Sequence, residues 1–307
     1  METNKILVTG ALGAVGSPLV ASLRRRGHDV WMLDRTHHHD DRYFRCDVGE
    51  YRQIERVMEK ENFDFIYHLA AEFGRNNGED FFETLWRTNA VGTKNMLRLQ
   101  EKKKFGMIFT SSSEVYGDYR GAMEESVLYR FPIRQLNDYA ITKWVNEMQI
   151  MNSRDRFGTE TVILRLFNTY GPGEYYSDYR SAVCLFIYRA MHSIPYKVYL
   201  NNHRSSCYID DTVATMTRVV DKFKPGEVYN IASDEYYTIK KISDIILNEL
   251  GEDDSIVTYE KEEPHNTLNK KADISKAKRD LAHKLNVDLN EGIRRTIEWQ
   301  RKVYGKS

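Results

Sequence analysis

The sequence predicts an α/β fold, in which a doubly wound parallel sheet is followed by a smaller C-terminal α/β part. Through the first two-thirds of the chain, apolar runs of strand length alternate with amphipathic helical stretches. The runs are almost continuously apolar, which is typical of parallel strands that helices cover on both faces. Strands and helices in this alternating order build right-handed βαβ units and a doubly wound sheet.

The individual elements follow from these periodicities. Five apolar runs are predicted as strands: Lys5–Thr9, Asp29–Leu33, Asp64–Leu69, Met107–Ser111 and Thr161–Phe167. Helical spacing of apolar residues predicts seven helices: Val15–Arg26, Tyr51–Glu61, Phe81–Lys102, Tyr139–Arg156, Asp211–Lys222, Ile239–Leu250 and Glu291–Tyr304. After about residue 168, Pro and Gly interrupt shorter segments. We therefore divide the chain into residues 1–168 and 169–307, and expect later segments to return to the first part.

The composition of the 307 residues excludes several classes of protein. Lys+Arg and Asp+Glu both number 45, so no net charge draws the chain to nucleic acid or to an anionic membrane. No apolar stretch approaches the ~20 residues of a membrane span, and no signal-peptide pattern is present. Three widely separated cysteines suit a reducing cytoplasm and indicate neither a disulfide framework nor a zinc site. The run His37–His39 is interpreted as a solvated loop, so we expect no metal.

The most informative short motif is TGALGAVG, which ends at residue 16. Its three glycines, Gly10, Gly13 and Gly16, lie between the first strand and the first helix. Glycine lets a backbone approach a phosphate closely, and a helix N-terminus offers free amides and a positive dipole end. A tight strand-to-helix turn without a ligand is the alternative. The context favours a dinucleotide site that includes Ala14 and Val15.

An acidic residue ends the second predicted strand. Asp34 lies 21 residues after Gly13 (34 − 13), where a carboxylate can accept hydrogen bonds from an adenosine ribose diol. A carboxylate there would repel a 2′-phosphate, so the sequence predicts NAD rather than NADP. Arg35, the next residue, weakens this preference without reversing it.

With this loop the chain resembles the extended short-chain dehydrogenase/reductases, the family of NAD-dependent sugar-nucleotide epimerases, dehydratases and decarboxylases. Further family motifs follow in order along nearly the whole chain: Asp47-Val48, His68–Ala71 (HLAA), Asn89 with Gly92-Thr93, Arg165–Pro172 (RLFNTYGP), Tyr208–Asp211 (YIDD) and Ala272–Lys278 (ADISKAK). The resemblance implies a Rossmann-type NAD-binding domain in residues 1–168, with substrate bound mainly by residues 169–307. It also implies further NAD contacts from Asp47, Val48, Leu69, Ala70, Ala71, Asn89 and Ser111.

A tyrosine and a lysine share one face of a predicted helix. Tyr139 and Lys143 lie four residues apart in DYAITKW. A phenol is a poor base at neutral pH, but a nearby ammonium and a nicotinamide cation favour the phenolate. The phenolate could then take a proton from a sugar hydroxyl while hydride passes to NAD. An amphipathic helix with a surface lysine is the alternative that the glycine loop and Asn89 disfavour.

The strand end FTSSSEVYG supplies the third partner of this pair. Ser112 occupies the place of the family's catalytic Ser/Thr hydroxyl, with Ser113 as the alternative and as a substrate contact. Glu114 makes the stretch similar to that of GDP-mannose 4,6-dehydratases and UDP-glucuronate decarboxylases. After oxidation at C4, a carboxylate could remove the C5 proton for loss of water, or help to position a glucuronate. A plain 4-epimerase has no use for it, and a turn-capping carboxylate is the structural alternative.

Two departures from the family pattern affect the reaction and the substrate. The glucose 4,6-dehydratases use an Asp-Glu pair, and Ser113 stands where that aspartate would be. Glu263 replaces the arginine that commonly precedes the proline before the ADI tail and meets the diphosphate. Residues that could compensate are His265, Lys270 and Lys271.

Other residues resemble the family's nucleotide-sugar contacts. Asn168 lies in the RLFNTYGP motif, and Arg204 precedes Tyr208 by four residues, where a guanidinium can grip a diphosphate. Arg180 lies in a tyrosine-rich loop, with Tyr175 and Tyr176 as further candidates for sugar or base contacts.

The sequence therefore predicts an NAD-dependent enzyme that oxidises a nucleotide-diphosphate sugar transiently at C4. A 4,6-dehydratase or a UDP-glucuronate decarboxylase-like enzyme is favoured slightly over a 4-epimerase. An NADP(H)-dependent reductase and a non-catalytic NAD-binding regulator are the rivals, and the intact Tyr139 and Lys143 disfavour the regulator. The resemblance also implies a homodimer built from the helices predicted at Phe81–Lys102 and Tyr139–Arg156.

Overall fold

A computed structural model describes residues 3–305 and contains a seven-stranded parallel sheet. Its strands are β1 (Lys5–Thr9), β2 (Asp29–Asp34), β3 (Tyr43–Arg45), β4 (Phe65–His68), β5 (Gly106–Ser112), β6 (Thr161–Leu166) and β9 (Val228–Ile231). They lie in the order β3-β2-β1-β4-β5-β6-β9. Two small sheets pair β7 (Tyr196–Tyr199) with β11 (Val257–Glu260), and β8 (His203–Arg204) with β10 (Tyr237–Thr238). The predicted α/β fold with a doubly wound parallel sheet is confirmed.

Helices cover both faces of the sheet. They are α1 (Gly16–Arg25), α2 (Tyr51–Lys60), α3 (Arg75–Asp80), α4 (Phe82–Trp86), α5 (Gly92–Lys103), α6 (Val127–Arg130), α7 (Asp138–Phe157), α8 (Ala182–Met191), α9 (Ile209–Arg218), α10 (Ile239–Leu250), α11 (Ser275–Leu281) and α12 (Leu289–Tyr304). The helix predicted over residues 81–102 is interrupted, because a wider π-helical turn at Arg87–Val91 separates α4 from α5. No helix within residues 3–305 is long and apolar enough to cross a membrane.

Alternation along the central strands separates the core into two layers. Ile6 and Val8 of β1 pack in one buried cluster with residues of α1, whereas Leu7 belongs to a second cluster with residues of α2 and α5. Successive strand residues point to opposite faces, so both faces of the sheet are buried.

The parallel arrangement places the ends of the predicted motif strands at one edge. The carboxyl ends of β1, β4, β5 and β6 come together where the chain order of the sheet reverses. In open α/β sheets, ligands bind outside the carboxyl ends of the strands at such a switch point.

Candidate active site

A cavity of about 760 Å³ lies along the carboxyl edge of the sheet. It gathers nearly every residue that the sequence analysis assigned to a site. The lining includes Gly10, Gly13, Ala14, Val15, Gly16, Asp34, Asp47, Val48, Leu69, Ala70, Ala71, Ser111, Ser112, Ser113, Glu114, Tyr139, Lys143, Asn168, Arg180 and Arg204. Residues from both parts of the chain therefore face one space.

The three glycines of the loop differ in what a side chain at each position would meet. Gly10 has φ +68°, and a Cβ on it would lie 2.8 Å from the backbone nitrogen of Ala70. A Cβ on Gly16 would lie 2.1 Å from the carbonyl oxygen of Gly10. At Gly13 the nearest atom to a Cβ is that same oxygen, at 3.3 Å. Packing of the chain itself thus requires Gly10 and Gly16, whereas Gly13 leaves the floor of the cavity open, as a bound phosphate needs.

The acidic residue at the end of β2 is fixed against this loop. One oxygen of Asp34, Oδ2, accepts a hydrogen bond from the amide of Leu12 at 3.1 Å, and Oδ1 accepts one from the amide of Thr36 at 3.2 Å. A carboxylate oxygen can accept more than one hydrogen bond. Asp34 can therefore also accept hydrogen bonds from a ribose diol, and its placement fits a dinucleotide.

The structure places Asn89 outside the cavity lining, unlike the contact that the resemblance implied. Its side chain is 1% exposed. The side-chain oxygen accepts a hydrogen bond from the amide of Glu72 at 2.9 Å, and Nδ2 donates to the Glu72 carbonyl at 3.0 Å and to Thr142 Oγ1 at 3.1 Å. The π-helical turn carries Asn89 inward, so this residue holds the segment after β4 in place.

The histidine of the HLAA motif is also internal. His68 Nδ1 lies 2.9 Å from Thr9 Oγ1, and Nε2 lies 3.2 Å from Thr93 Oγ1. Burial and, to a smaller extent, the charge of Lys143 lower the pKa of His68 to about 3. His68 is therefore neutral and joins β1, β4 and α5 beneath the cavity.

The tyrosine and lysine of α7 both reach the cavity. Lys143 Nζ donates to the carbonyl of Thr110 at 2.9 Å and lies 5.9 Å from the centre of the Tyr139 ring. Burial lowers the pKa of Lys143 to about 8, which the charge of Glu147 partly opposes. Burial raises the pKa of Tyr139 to about 12, although its hydrogen bond with Ser112 opposes this rise. Lys143 alone therefore does not make Tyr139 a base at neutral pH.

A buried ion pair lies beneath Tyr139 and Lys143 and supports them. Glu147 and Arg165 both have fully buried side chains, and Arg165 Nη2 donates to Glu147 Oε2 at 2.7 Å. Ser111 Oγ donates to Glu147 Oε1 at 2.5 Å. Glu147 lies one turn of α7 beyond Lys143, so the ion pair links the helix to β5 and β6 directly beneath the reacting groups.

Glu114 is paired with a buried lysine, which the sequence analysis had proposed only as a replacement for an arginine. Lys270 Nζ donates to Glu114 Oε1, and the two side chains are 1% and 14% exposed. Burial would raise the pKa of Glu114, but the charges of Lys270, Arg204 and Arg75 together lower it. Burial lowers the pKa of Lys270 to about 8. The other carboxylate oxygen of Glu114 is buried and finds no hydrogen-bond partner among residues 3–305.

Glu263, which stands where the family commonly has an arginine, is paired with an arginine from a distant part of the sequence. Arg75, at the start of α3, forms an ion pair with Glu263, and both line the cavity. Lys270 also lines it, whereas His265 and Lys271 lie outside the lining. Arg204 is 5% exposed and donates to three backbone carbonyls in the 203–268 region.

Only part of the tyrosine-rich loop faces the cavity. Arg180 lines it and lies 4.1 Å from the ring centre of Phe73. Tyr175 is 59% exposed, and Tyr176 stacks on Tyr188 with ring centres 3.6 Å apart. These two tyrosines lie outside the lining. Tyr176 packs on α8, and the Tyr175 ring contacts Trp299 of α12 with ring centres 5.3 Å apart. Asn168, with φ +43°, has a buried side-chain oxygen that finds no partner within residues 3–305.

Comparison with known proteins assigns the family of this chain. The model of the NAD dependent epimerase/dehydratase family matches residues 6–232. The chain belongs to this family. The predicted family and the NAD cofactor are thereby confirmed.

Individual relatives within the family carry out different reactions. A UDP-N-acetyl-alpha-D-glucosaminuronate decarboxylase from Bacillus cytotoxicus is 29% identical, over 97% of this chain and 98% of its own. A probable dTDP-glucose 4,6-dehydratase from Sinorhizobium fredii is 27% identical, over 96% and 92%. A UDP-glucuronic acid 4-epimerase from Bacillus cereus, solved with UDP-glucuronic acid and NAD, superposes with a TM-score of 0.86 at 25% identity, over 98% and 100%.

Among the charged cavity residues that sequence reasoning missed are Glu72, Arg75 and Glu174. Glu72 follows the HLAA motif directly, and Arg75 lies three residues after Glu72, at the start of α3. Glu174 accepts from the amide and hydroxyl of Ser181, and burial raises its pKa. A search for charged residues just beyond the strand motifs would have found the first two.

Proposed function

We propose that this chain is an NAD-dependent decarboxylase of a nucleotide-linked uronic acid. The carrying observation is the ion pair between Glu114 and Lys270 inside a cation-rich part of the cavity. Arg75, Arg204 and Lys270 bring three positive charges to it, against the carboxylates of Glu114 and Glu263. The surplus suits a substrate that carries a diphosphate and a sugar carboxylate.

The pKa of Glu114 favours decarboxylation over dehydration. Dehydration needs a base at C5, and a carboxylate whose pKa is lowered is a weaker base. A C4 ketone makes the neighbouring C6 carboxylate a β-keto acid. Loss of CO₂ then breaks the C5–C6 bond and leaves the electron pair on C5 and O4, so no base is required. C5 of this enolate takes a proton from water, which restores the C4 ketone before its reduction. Glu114, held by Lys270, is left to position the sugar.

Tyr139 and Ser112 handle the oxygen at C4. A bound NAD would supply the hydride acceptor for C4 and the donor for its return. Tyr139 takes the proton of the C4 hydroxyl and gives it back when the ketone is reduced, while Ser112 hydrogen-bonds the same oxygen. Because burial raises the pKa of Tyr139, Lys143 alone does not favour the phenolate, and a bound oxidised nicotinamide would add a second positive charge.

The remaining predicted residues take the roles that their positions support. We place the dinucleotide along the loop of Gly10, Gly13, Ala14, Val15 and Gly16, with Asp34, Asp47 and Val48 at its adenosine end. Leu69, Ala70, Ala71 and Ser111 lie along its length, and Asn89 acts indirectly. Ser113, Asn168, Arg180 and Arg204 face the nucleotide sugar. Residues 1–168 then supply most of the NAD site, and residues 169–307 most of the substrate site.

The 4,6-dehydratase is the second candidate, favoured by one observation. Glu114 has a carboxylate oxygen without a partner within residues 3–305, which could take the C5 proton. Lys270, with its pKa lowered to about 8, could protonate the departing hydroxyl.

Product masses separate these reactions. The protein is incubated with UDP-glucuronate, and in parallel with UDP-, dTDP- and GDP-glucose-type sugars. The proposal expects UDP-glucuronate to lose the mass of CO₂. Loss of water from a neutral sugar supports the dehydratase, and an unchanged mass with altered stereochemistry supports a 4-epimerase. Steady consumption of NADPH would indicate a reductase. The absence of turnover with every sugar would indicate a binding protein. Either result contradicts the proposal.

Glu114→Gln is expected to lower kcat for UDP-glucuronate by about 100-fold, since the amide no longer pairs with Lys270 or positions the sugar. Glu124→Gln is the matched control, because its ion pair with Arg130 is exposed, and it should match the wild type. An unaltered kcat for Glu114→Gln would contradict the proposed role of Glu114 in positioning the sugar.

We further propose that the chain forms a homodimer through α4, the following π-helical turn and α7. Apolar side chains on these elements are exposed: Phe82 (46%), Val91 (48%) and Met148 (42%), with Phe81 (52%) beside them. Light scattering should give twice the mass of the chain for the wild type, and a smaller mass for Val91→Glu with Met148→Glu. A monomeric wild type would contradict this.

The three buried, unpaired cysteines fit a cytoplasmic location.

A further inference from the structure

A charged bridge spans the dinucleotide end of the cavity. Arg35 Nη1 lies 2.8 Å from Glu72 Oε1. Arg35 follows the end of β2 and Glu72 follows the end of β4, and β1 lies between these two strands in the sheet. The bridge therefore passes over the carboxyl end of β1, where the glycine loop begins. Both residues line the cavity.

Of the two side chains in this bridge, that of Glu72 is held in place by its neighbours. The amide and carbonyl of Glu72 are both bound by the Asn89 side chain, and Glu72 Oε2 accepts from Asn77 Nδ2 at 3.4 Å. The Glu72 side chain is 15% exposed and that of Arg35 is 66% exposed. The buried Asn89 thus holds Glu72 where its carboxylate pairs with the exposed guanidinium of Arg35.

An arginine directly after the acidic residue of β2 is the group that would accept the 2′-phosphate of NADP. In this structure its charge is already paired. To bind a phosphate, Arg35 would have to leave Glu72, and the phosphate would then meet two carboxylates, Asp34 and Glu72. We propose that Glu72 determines the preference for NAD by withholding Arg35 from a 2′-phosphate. This rests on the proposed placement of the dinucleotide along the glycine loop and holds for whichever sugar reaction follows.

Competition between the two dinucleotides tests this role. The protein is dialysed to equilibrium against mixtures of NAD⁺ and NADP⁺, and both dinucleotides bound to it are quantified. Glu72→Gln should shift the bound ratio toward NADP⁺ by about tenfold, because it frees Arg35 and removes one repelling charge. Adding Arg35→Ala to Glu72→Gln should reverse most of that shift. Misfolded protein does not change the ratio of bound NADP⁺ to bound NAD⁺, because both dinucleotides are measured on the same sample.

A matched control comes from the opposite edge of the sheet. Glu61→Gln also removes a carboxylate from a half-exposed ion pair, with Lys5 at the start of β1, and should leave the ratio unchanged. A ratio in Glu72→Gln equal to that of the wild type, with NAD⁺ still bound, would overturn the role of Glu72 alone. Failure of the wild type to bind either dinucleotide would overturn the placement of the dinucleotide itself.

Discussion

Tyr139→Phe lowers kcat by about 10³-fold, the loss expected when the only proton carrier at a reacting oxygen is removed. The phenol lines the cavity, next to Ser112 at the carboxyl end of β5. Phenylalanine keeps the ring and its packing, so the loss reports the hydroxyl. The measurement is the steady-state rate with UDP-glucuronate, together with the amount of NAD bound per chain.

The matched control for this substitution is Tyr51→Phe. Tyr51 also carries a hydroxyl that contacts a lysine, since Lys102 Nζ donates to it at 3.1 Å, but it lies on α2 outside the cavity lining. This variant should retain the wild-type kcat. A Tyr139→Phe enzyme that binds NAD and keeps more than about a tenth of the activity would show that another group carries the proton.

Glu147→Gln is expected to destabilise the protein by about 3–5 kcal/mol, because it leaves the buried Arg165 guanidinium without its counter-charge. Both side chains are fully buried, and Arg165 is also bound by Tyr116. At about 2–4 °C per kcal/mol, a fall in Tm of about 10 °C follows. Thermal unfolding measures it. Asp244→Asn, in the exposed pair with Lys240, should cost less than about 1 kcal/mol.

The same substitution has a second, independent readout. Burial lowers the pKa of Lys143 to about 8, and the charge of Glu147 opposes that fall. Without this charge the pKa of Lys143 falls further, so Lys143 loses its proton at a lower pH. The alkaline limb of the kcat profile should therefore move to lower pH in Glu147→Gln. A melting temperature and a profile both equal to those of the wild type would contradict the account of this ion pair.

The main sheet could largely be predicted because its central strands are continuous apolar runs with clear periodicity. β1 was predicted to the residue, and the other four within two residues at either end. β3 and β9 were missed, since three and four residues give little pattern. In β9 the buried Asn230 interrupts the apolar run, and only its tertiary partners, such as Tyr116, explain why it is tolerated.

The site was predictable where local spacing carries the chemistry. The glycines, Asp34 and the pair Tyr139 and Lys143 follow from short motifs, and all of them line the cavity. Charge pairings between distant segments left no trace in the sequence. Lys270 meets Glu114 across 156 residues, and Arg75 meets Glu263 across 188. Such pairs become visible only when the fold brings the segments together.

In the proposed reaction, C4 of the sugar is oxidised and then reduced within one catalytic cycle. The most direct measurement uses UDP-glucuronate labelled with deuterium at C4. The account predicts that the sugar product retains the deuterium at C4, because the hydride that leaves this carbon returns to it before release. Deuterium lost to solvent, or recovered on free dinucleotide in step with product, would contradict it.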